Sequence, residues 1–281
     1  MLAVVTGANR GLGRLCAGQL AAHGADLLLI ARDEAALAEV AGEIEAINPR
    51  RRVTTLSCDL GDAEAPQRVR EAAEWHGSAD ILVNNAAIQG PIGPAWQVSW
   101  REFETALRLD FLVPVALCRA VIPSMKARAR GWIINISGGG ATSPRPMFAA
   151  YATAKTALVR FTETLAIEMA GYGIRVNAVA PGPFASGMTK AVHAAAETAG
   201  AAEVATAHQL LDRNDTASAE KAARLVAYLT LGEGRDVTGK LISAVWDPWD
   251  RLHLHPELLA HKDVFTLRRI LPQDRDLNLD E

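Results

Sequence analysis

Tyr151 and Lys155 stand four residues apart in Tyr151-Ala152-Thr153-Ala154-Lys155. On a helix that spacing puts both side chains on one face, about 6 Å apart along the axis. An ammonium about 4 Å from a phenol, at an effective dielectric of about 20, favours the phenolate by roughly 4 kcal/mol. That is enough to bring a phenol from about 10 towards neutrality. A general acid/base near the working pH is what carbonyl reduction or alcohol oxidation needs. The same spacing occurs on many solvated helix faces, so the pair gains meaning only from the elements that position it.

A second cluster lies near the start of the chain, in Thr6-Gly7-Ala8-Asn9-Arg10-Gly11-Leu12-Gly13. It follows an apolar run at residues 2–6 and opens a helical pattern at 12–22. Glycines in that place permit a tight turn and let backbone N–H groups approach a pyrophosphate, whose charge the helix N-terminus favours. Three glycines can also serve a plain turn; their position between strand and helix favours a dinucleotide. Charge then selects which one. The second apolar run ends in Ala31-Arg32, with Arg10 in the glycine loop, and two guanidiniums suit a 2′-phosphate. NADP(H) is therefore favoured over NAD(H). Asp33 counts the other way unless it only starts the next helix.

Short β-rich runs at 2–6, 27–31, 53–57, 81–83, 132–136, 174–179 and 241–242 alternate with helical patterns at 12–22, 34–47, 63–75, 100–127 and 149–169. Apolar strands alternating with helices predict an α/β fold, a doubly wound parallel sheet of Rossmann type in a three-layer α/β/α single domain. Ligands then bind at the carboxyl ends of the strands. The catalytic domain is expected over 1–243, with an Ala-rich substrate flap at about 183–216 that includes a helix over about 190–209. Residues 244–281 form a C-terminal extension, in which Trp246 and Trp249 are expected to be buried in the subunit, across an interface or over the pocket.

The ordered motifs resemble the short-chain dehydrogenase/reductase family over about residues 2–243. The glycine spacing matches, and Asp59 in Cys58-Asp59-Leu60 matches the acid that holds the adenine ring. Asn84-Asn85-Ala86-Ala87 resembles the family's Asn-Asn-Ala-Gly, and residues 177–182 resemble the segment that cradles the nicotinamide carboxamide. The resemblance implies a cofactor site made of Gly7, Asn9, Arg10, Gly11, Leu12, Gly13, Arg32, Asp59, Leu60, Asn85, Ala86, Pro181, Gly182, Phe184 and Ser186. Tyr151 and Lys155 join it, Lys155 by binding the nicotinamide ribose as well as lowering the Tyr pKa. Phe184, Met188 and the flap helix should cover the substrate, with Trp96, Met147 and Phe148 as either pocket lining or core. The helices at about 100–127 and 149–171 are the family's usual dimerisation surfaces, so a homodimer or homotetramer is expected.

Two positions depart from the family. The catalytic Ser normally stands 13 residues before the Tyr, and Gly138 is found there, in Ser137-Gly138-Gly139-Gly140. Ser137 either takes over or merely ends the strand, and Ser143 is a weaker substitute. Asp110 stands where the family has an Asn whose backbone carbonyl supports a water relaying protons to the Lys. Asp110 is thus either part of the catalytic set or a structural residue needing a partner for its buried carboxylate.

Composition excludes other classes. Apolar residues make up 49% and charged residues 22%, which excludes disorder and fibrous repeats. The 29 basic and 32 acidic residues give a net charge of −3 and no electrostatic reason for a nucleic-acid or anionic-membrane partner. Residues 81–100 carry no charge but include two Asn, two Gln, two Gly and two Pro, so no membrane span is expected. Three scattered cysteines suggest neither disulfides nor zinc, His253, His255 and His261 lack a supporting acid or Cys pattern, and no metal is expected. With no signal peptide evident before the first strand, a cytoplasmic protein is expected. The motifs point to an oxidoreductase interconverting a small ketone and a secondary alcohol. The alternative is a non-catalytic NADP(H)-binding sensor or assembly protein, kept open by Gly138 and Asp110.

Overall fold

The computed structural model describes residues 1–277, so residues 278–281 of the expected extension lie outside the described residues. Seven strands form one sheet: β1 (Leu2–Thr6), β2 (Asp26–Ala31), β3 (Val53–Ser57), β4 (Ile81–Asn84), β5 (Gly131–Ile136), β6 (Ile174–Ala180) and β7 (Leu241–Ser243). All pairs are parallel, in the order β3-β2-β1-β4-β5-β6-β7. Parallel strands need crossovers, and helices supply them on both faces. Alternate residues of β1 face opposite sides: Ala3 and Val5 pack with α1 (Gly11–Ala22), α2 (Glu34–Ile47) and α9 (Ala217–Thr230). Leu2 and Val4 pack with α3 (Ala65–Trp75), α5 (Val113–Ala127) and α6 (Ala149–Met169). The order reverses between β1 and β4, which opens a crevice at their carboxyl ends.

Within this core a polar chain runs from β4 to α6. Asn84 Nδ2 donates to Asn135 Oδ1 at 2.8 Å, and Asn135 Nδ2 donates to Thr162 Oγ1 at 2.8 Å. These buried amides fix the register of β4, β5 and α6, the three elements that carry the Tyr–Lys pair and its surroundings.

The pattern at 100–127 is not one continuous α-helix. α4 (Trp100–Leu107) passes into a π-helical turn at Arg108–Leu112 before α5 begins. Pro114 has no N–H to give the Asp110 carbonyl four residues back, and Val113 N–H bonds the Arg108 carbonyl instead. Asp110 sits in the middle of that turn and is fully buried.

The flap consists of α7 (Gly187–Ala194) and α8 (Ala201–Asp212) rather than one helix over 190–209. Gly200, at φ +89°, turns the chain between them. Its base is closed where Ala185 N–H bonds the Asp215 carbonyl at 2.7 Å.

The extension folds back on the domain. Trp249 packs on Tyr228 and its Nε1 donates to the Ala244 carbonyl, whereas Trp246 is 68% exposed and so is not buried within its own subunit. Ser243 explains the difference: its Oγ accepts from the Val245 and Trp246 N–H groups, which puts Trp246 on the outside of a tight turn. α10 (Pro256–Ala260) follows, and Lys240 Nζ then holds the His261 and Val264 carbonyls at 2.8 and 3.0 Å. Leu241 N–H bonds the Phe265 carbonyl at 2.8 Å, so the strap covers the outer edge of β7.

Candidate active site

The glycine loop is tied down by the segment that follows β4, the next strand across the crevice. Asn85 Nδ2 donates to the Thr6 and Gly7 carbonyls at 2.9 and 3.3 Å, and the Asn85 and Ala86 N–H groups both bond Thr6 Oγ1. A Cβ at Gly13 would lie 2.2 Å from the Gly7 oxygen and 2.6 Å from Asn85 Nδ2, so only glycine fits. Leu12 is buried in the core, Asn9 is half-buried and Gly11 is exposed at the start of α1. Arg10, in extended conformation, precedes α1 without capping it by its side chain. The first-turn N–H groups of α1 are thus open to an anion. This cradle fits a pyrophosphate.

The two expected phosphate-binding arginines have separate neighbours. Arg10 reaches across the crevice to within 3.6 Å of a Cβ position at Gly187, the first residue of α7. Arg32 is exposed and lies 3.9 Å from Asp59, whose other oxygen accepts the Gly61 N–H. Asp33 caps α2 by accepting the Ala36 N–H at 3.0 Å, so its carboxylate is occupied there. Leu60 is core. Across the crevice, Pro181 is buried and Gly182 (φ +79°) lies where a Cβ would meet Val245 at 2.6 Å. Phe184 is half-buried against the core, and Ser186 caps α7 by accepting the Thr189 N–H.

Tyr151 and Lys155 lie one turn apart on α6, both buried, under the carboxyl end of β5. Lys155 Nζ donates to the Ile136 carbonyl at 3.0 Å and lies 4.0 Å from Asp110 Oδ2. Asp110 Oδ1 accepts the Ile88 N–H at 2.9 Å, while Oδ2 has no hydrogen-bond partner among the described residues. Burial pushes the Asp110 carboxyl up, against the pull of Lys155, and pushes the Lys155 ammonium down, against the pull of Asp110. Tyr151 is also pushed up, first by burial and then by the Asp110 charge, with Arg145 acting in the opposite direction. That reverses the expected acidification of the phenol. The Lys155 ammonium is committed to the Ile136 carbonyl and Asp110, and its nitrogen is 5.6 Å from the Tyr151 ring centre.

Gly138 has a direct consequence for the phenol. A Cβ there would lie 2.2 Å from Tyr151 Oη, so the hydroxyl occupies the space that a side chain would need. Ser137 is next to it, buried, with its N–H bonded to the Val179 carbonyl and its Oγ without a partner among the described residues. Ser143 is exposed. Phe148 is core against Val192, Ala199 and Ala207 of the flap, and Met147 and Trp96 are exposed. His253 hydrogen-bonds Tyr228 and faces Glu233, and His255 faces Glu257.

The residues missed in the sequence are Arg145 and Glu203. Arg145 Nε and Nη2 pair with the two Glu203 oxygens at 2.7 and 2.8 Å, joining the β5–α6 loop to α8. The partners are 58 residues apart in the chain. Only the flanking prolines of Pro144-Arg145-Pro146 signalled that this arginine's backbone is restricted.

A parallel sheet with a glycine cradle at its switch point and a Tyr–Lys helix beside it defines a dinucleotide-type α/β protein. The short chain dehydrogenase family model matches residues 1–197, and the chain belongs to that family. Human dehydrogenase/reductase SDR family member 4 is 35% identical over 182 residues, covering 64% of this chain and 65% of its own length. The chain thus spans somewhat less than two thirds of that relative. An uncharacterised oxidoreductase of Mycobacterium tuberculosis is 34% identical over 244 residues, 86% of this chain and 89% of its own. Among solved structures, L-sorbose reductase from Gluconobacter frateurii with NADPH and L-sorbose superposes with a TM-score of 0.76 at 28% identity. It aligns over 86% of this chain and 94% of its own. NAD+-bound xylitol dehydrogenase has the same TM-score at 26% identity, over 86% and 96%.

Proposed function

We propose that the protein is an NADP(H)-preferring oxidoreductase that interconverts a ketone and a secondary alcohol. The observation that carries this reading is Lys155 anchored to the Ile136 carbonyl one helical turn from Tyr151, on the same rim as the glycine cradle. The nicotinamide, when bound, donates or accepts the hydride. Tyr151 gives its phenolic proton to the carbonyl oxygen in reduction and takes the hydroxyl proton in oxidation. Lys155 binds ribose hydroxyls and returns the proton to Tyr151, with Asp110 balancing its charge. Ser137 Oγ, unpartnered beside Gly138, is the candidate to orient the substrate oxygen.

Pyrophosphate would lie on Gly7, Asn9, Gly11 and Gly13 at the α1 N-terminus, and the adenine near Asp59 and Leu60. The nicotinamide side would meet Asn85, Ala86, Pro181, Gly182, Phe184 and Ser186. Preference for the 2′-phosphate rests on exposed Arg32, supported by the use of Asp33 as a helix cap. The likeness to xylitol dehydrogenase and L-sorbose reductase supports a ketone and secondary-alcohol pair. A cytoplasmic homodimer or homotetramer completes the reading. Among the described residues no helix is long and apolar enough to cross a membrane.

Nicotinamide absorbance with NADPH and NADH over a ketone and sugar panel tests it, beside Tyr151→Phe. Turnover favouring NADPH and lost in the Phe variant is expected. Saturable NADPH binding with no turnover would overturn it in favour of a non-catalytic cofactor-binding protein.

A further inference from the structure

Arg145 lies on the loop between β5 and α6, with most of its side chain covered. One edge of its guanidinium is fixed by the two-point fork to Glu203. One face lies 3.9 Å from the centre of the Phe148 ring, and the Tyr151 ring centre is 5.9 Å away. Fork and ring together set the plane of the group. The remaining nitrogen, Nη1, has no acceptor among the described residues. It lies 3.7 Å from where a Cβ would stand at Gly139, and glycine there leaves that edge bare. Tyr151 Oη lies against Gly138, the preceding residue. A free donor edge and the reactive phenol therefore lie against adjacent glycines of one loop.

We infer that Arg145, oriented by Glu203, binds substrate through Nη1, holding a second oxygen next to the carbon whose oxygen meets Tyr151. The substrate class is a neutral α-hydroxy ketone or the corresponding vicinal diol. This rests on Tyr151 being the proton donor. Neutrality follows from the fork: Glu203 already balances Arg145, and a substrate carboxylate would enter beside a like charge. A hydroxyl needs only the free donor. A ketone lacking that oxygen leaves the donor unpaired, which is the stronger basis for discrimination. Glu203 is a positioning residue, held ionised below the usual carboxylate range by Arg145.

The test compares acetoin, butanone and pyruvate in NADPH-dependent reduction by the wild type, Arg145→Met and Glu203→Gln. Thermal melts and NADPH binding check that each variant is folded. The wild type is expected to favour acetoin over butanone by about 10- to 100-fold in kcat/KM, the worth of one hydrogen bond from a charged donor. In Arg145→Met the ratio should fall towards one. Glu203→Gln leaves the Arg145 charge unbalanced, so pyruvate should gain on acetoin, an effect that a merely structural role would not produce.

Equal use of acetoin and butanone by the wild type, or a preference that survives Arg145→Met, overturns the inference; a wild-type preference for pyruvate overturns it as well. If none of the three turns over, the oxidoreductase reading is judged by the wider ketone and sugar panel, separately from Arg145. Calorimetry on Tyr151→Phe loaded with NADP+ then decides the role of Arg145. Tighter binding of acetoin than butanone, lost on adding Arg145→Met, supports it, and no difference between the two overturns it.

Discussion

Asp110→Asn removes one negative charge and little volume from the most enclosed part of the site. The charges it separates are 4.0 Å apart, between Asp110 Oδ2 and Lys155 Nζ. At an effective dielectric of about 20, unit charges at that distance attract by about 4 kcal/mol, an upper limit of about three powers of ten in proton affinity. The sign is the same for both neighbours. Asp110 holds the proton on Lys155 and also raises the Tyr151 phenol, so without it both groups lose their protons at lower pH. Reduction needs both protonated, and its alkaline limb should therefore move towards acid, by at least one pH unit. The rising limb of alcohol oxidation should move the same way. The assay is kcat/KM against pH in both directions for the wild type and the variant, with a melt to check folding. Burial opposes this by favouring a protonated Asp110, and in that form Asn is a near-silent replacement. An unmoved alkaline limb, or one moved to higher pH, would refute the charged pair.

Gly138→Ser restores the family's residue, yet its Cβ would lie 2.2 Å from Tyr151 Oη and 2.9 Å from Cζ. The ring must shift, so a loss of about 1–3 kcal/mol in stability and a lower kcat are expected; a gain in kcat with an unchanged melt would show that the phenol does not rest there. Arg32→Ser should raise KM for NADPH about tenfold and leave NADH nearly untouched, checked by initial rates with each cofactor. Glu203 titrates below its ordinary value of 4.5, so its contribution is complete above that pH and is lost as pH falls through the lowered value. Hydrogen exchange in α8, corrected for intrinsic rate, should rise over that acid range in the wild type. In Glu203→Gln it should already be raised at neutral pH.

The sheet was legible because parallel strands covered on both faces are apolar along most of their length, as in residues 2–5 of β1, 27–31 of β2 and 81–83 of β4. The glycine cradle was legible for a similar reason: Gly13 must pack against the Gly7 carbonyl whatever binds there. Proton affinities were less accessible. Sequence spacing puts Lys155 near Tyr151 but does not reveal that Ile136 and Asp110 claim its ammonium, because those contacts depend on two other elements. Arg145 and Glu203 were hidden by the distance between them in the chain, and the path of the extension by backbone carbonyls, which have no signature in side-chain types.

The π-helical turn is an intermediate case, because its cause was visible and its effect was not. Pro114 interrupts the hydrogen-bond ladder four residues after Asp110, and the pattern at 100–127 otherwise continues as helix on both sides. The extra residue accommodated in the wider turn changes the face on which Asp110 sits. There it meets the Ile88 N–H on one oxygen and Lys155 on the other. A fully buried carboxylate without those neighbours would be costly, whereas with them it is held between a backbone donor and a cation. Pro114→Ala offers the missing N–H to the Asp110 carbonyl and favours regular α-helix. If the wider turn is what brings Asp110 to Lys155, this change at buried Pro114 should move the alkaline limb of reduction in the same direction as Asp110→Asn. Combining the two should add little further, since both act on one contact. Fully additive shifts would mean that the turn and the carboxylate act on Lys155 independently.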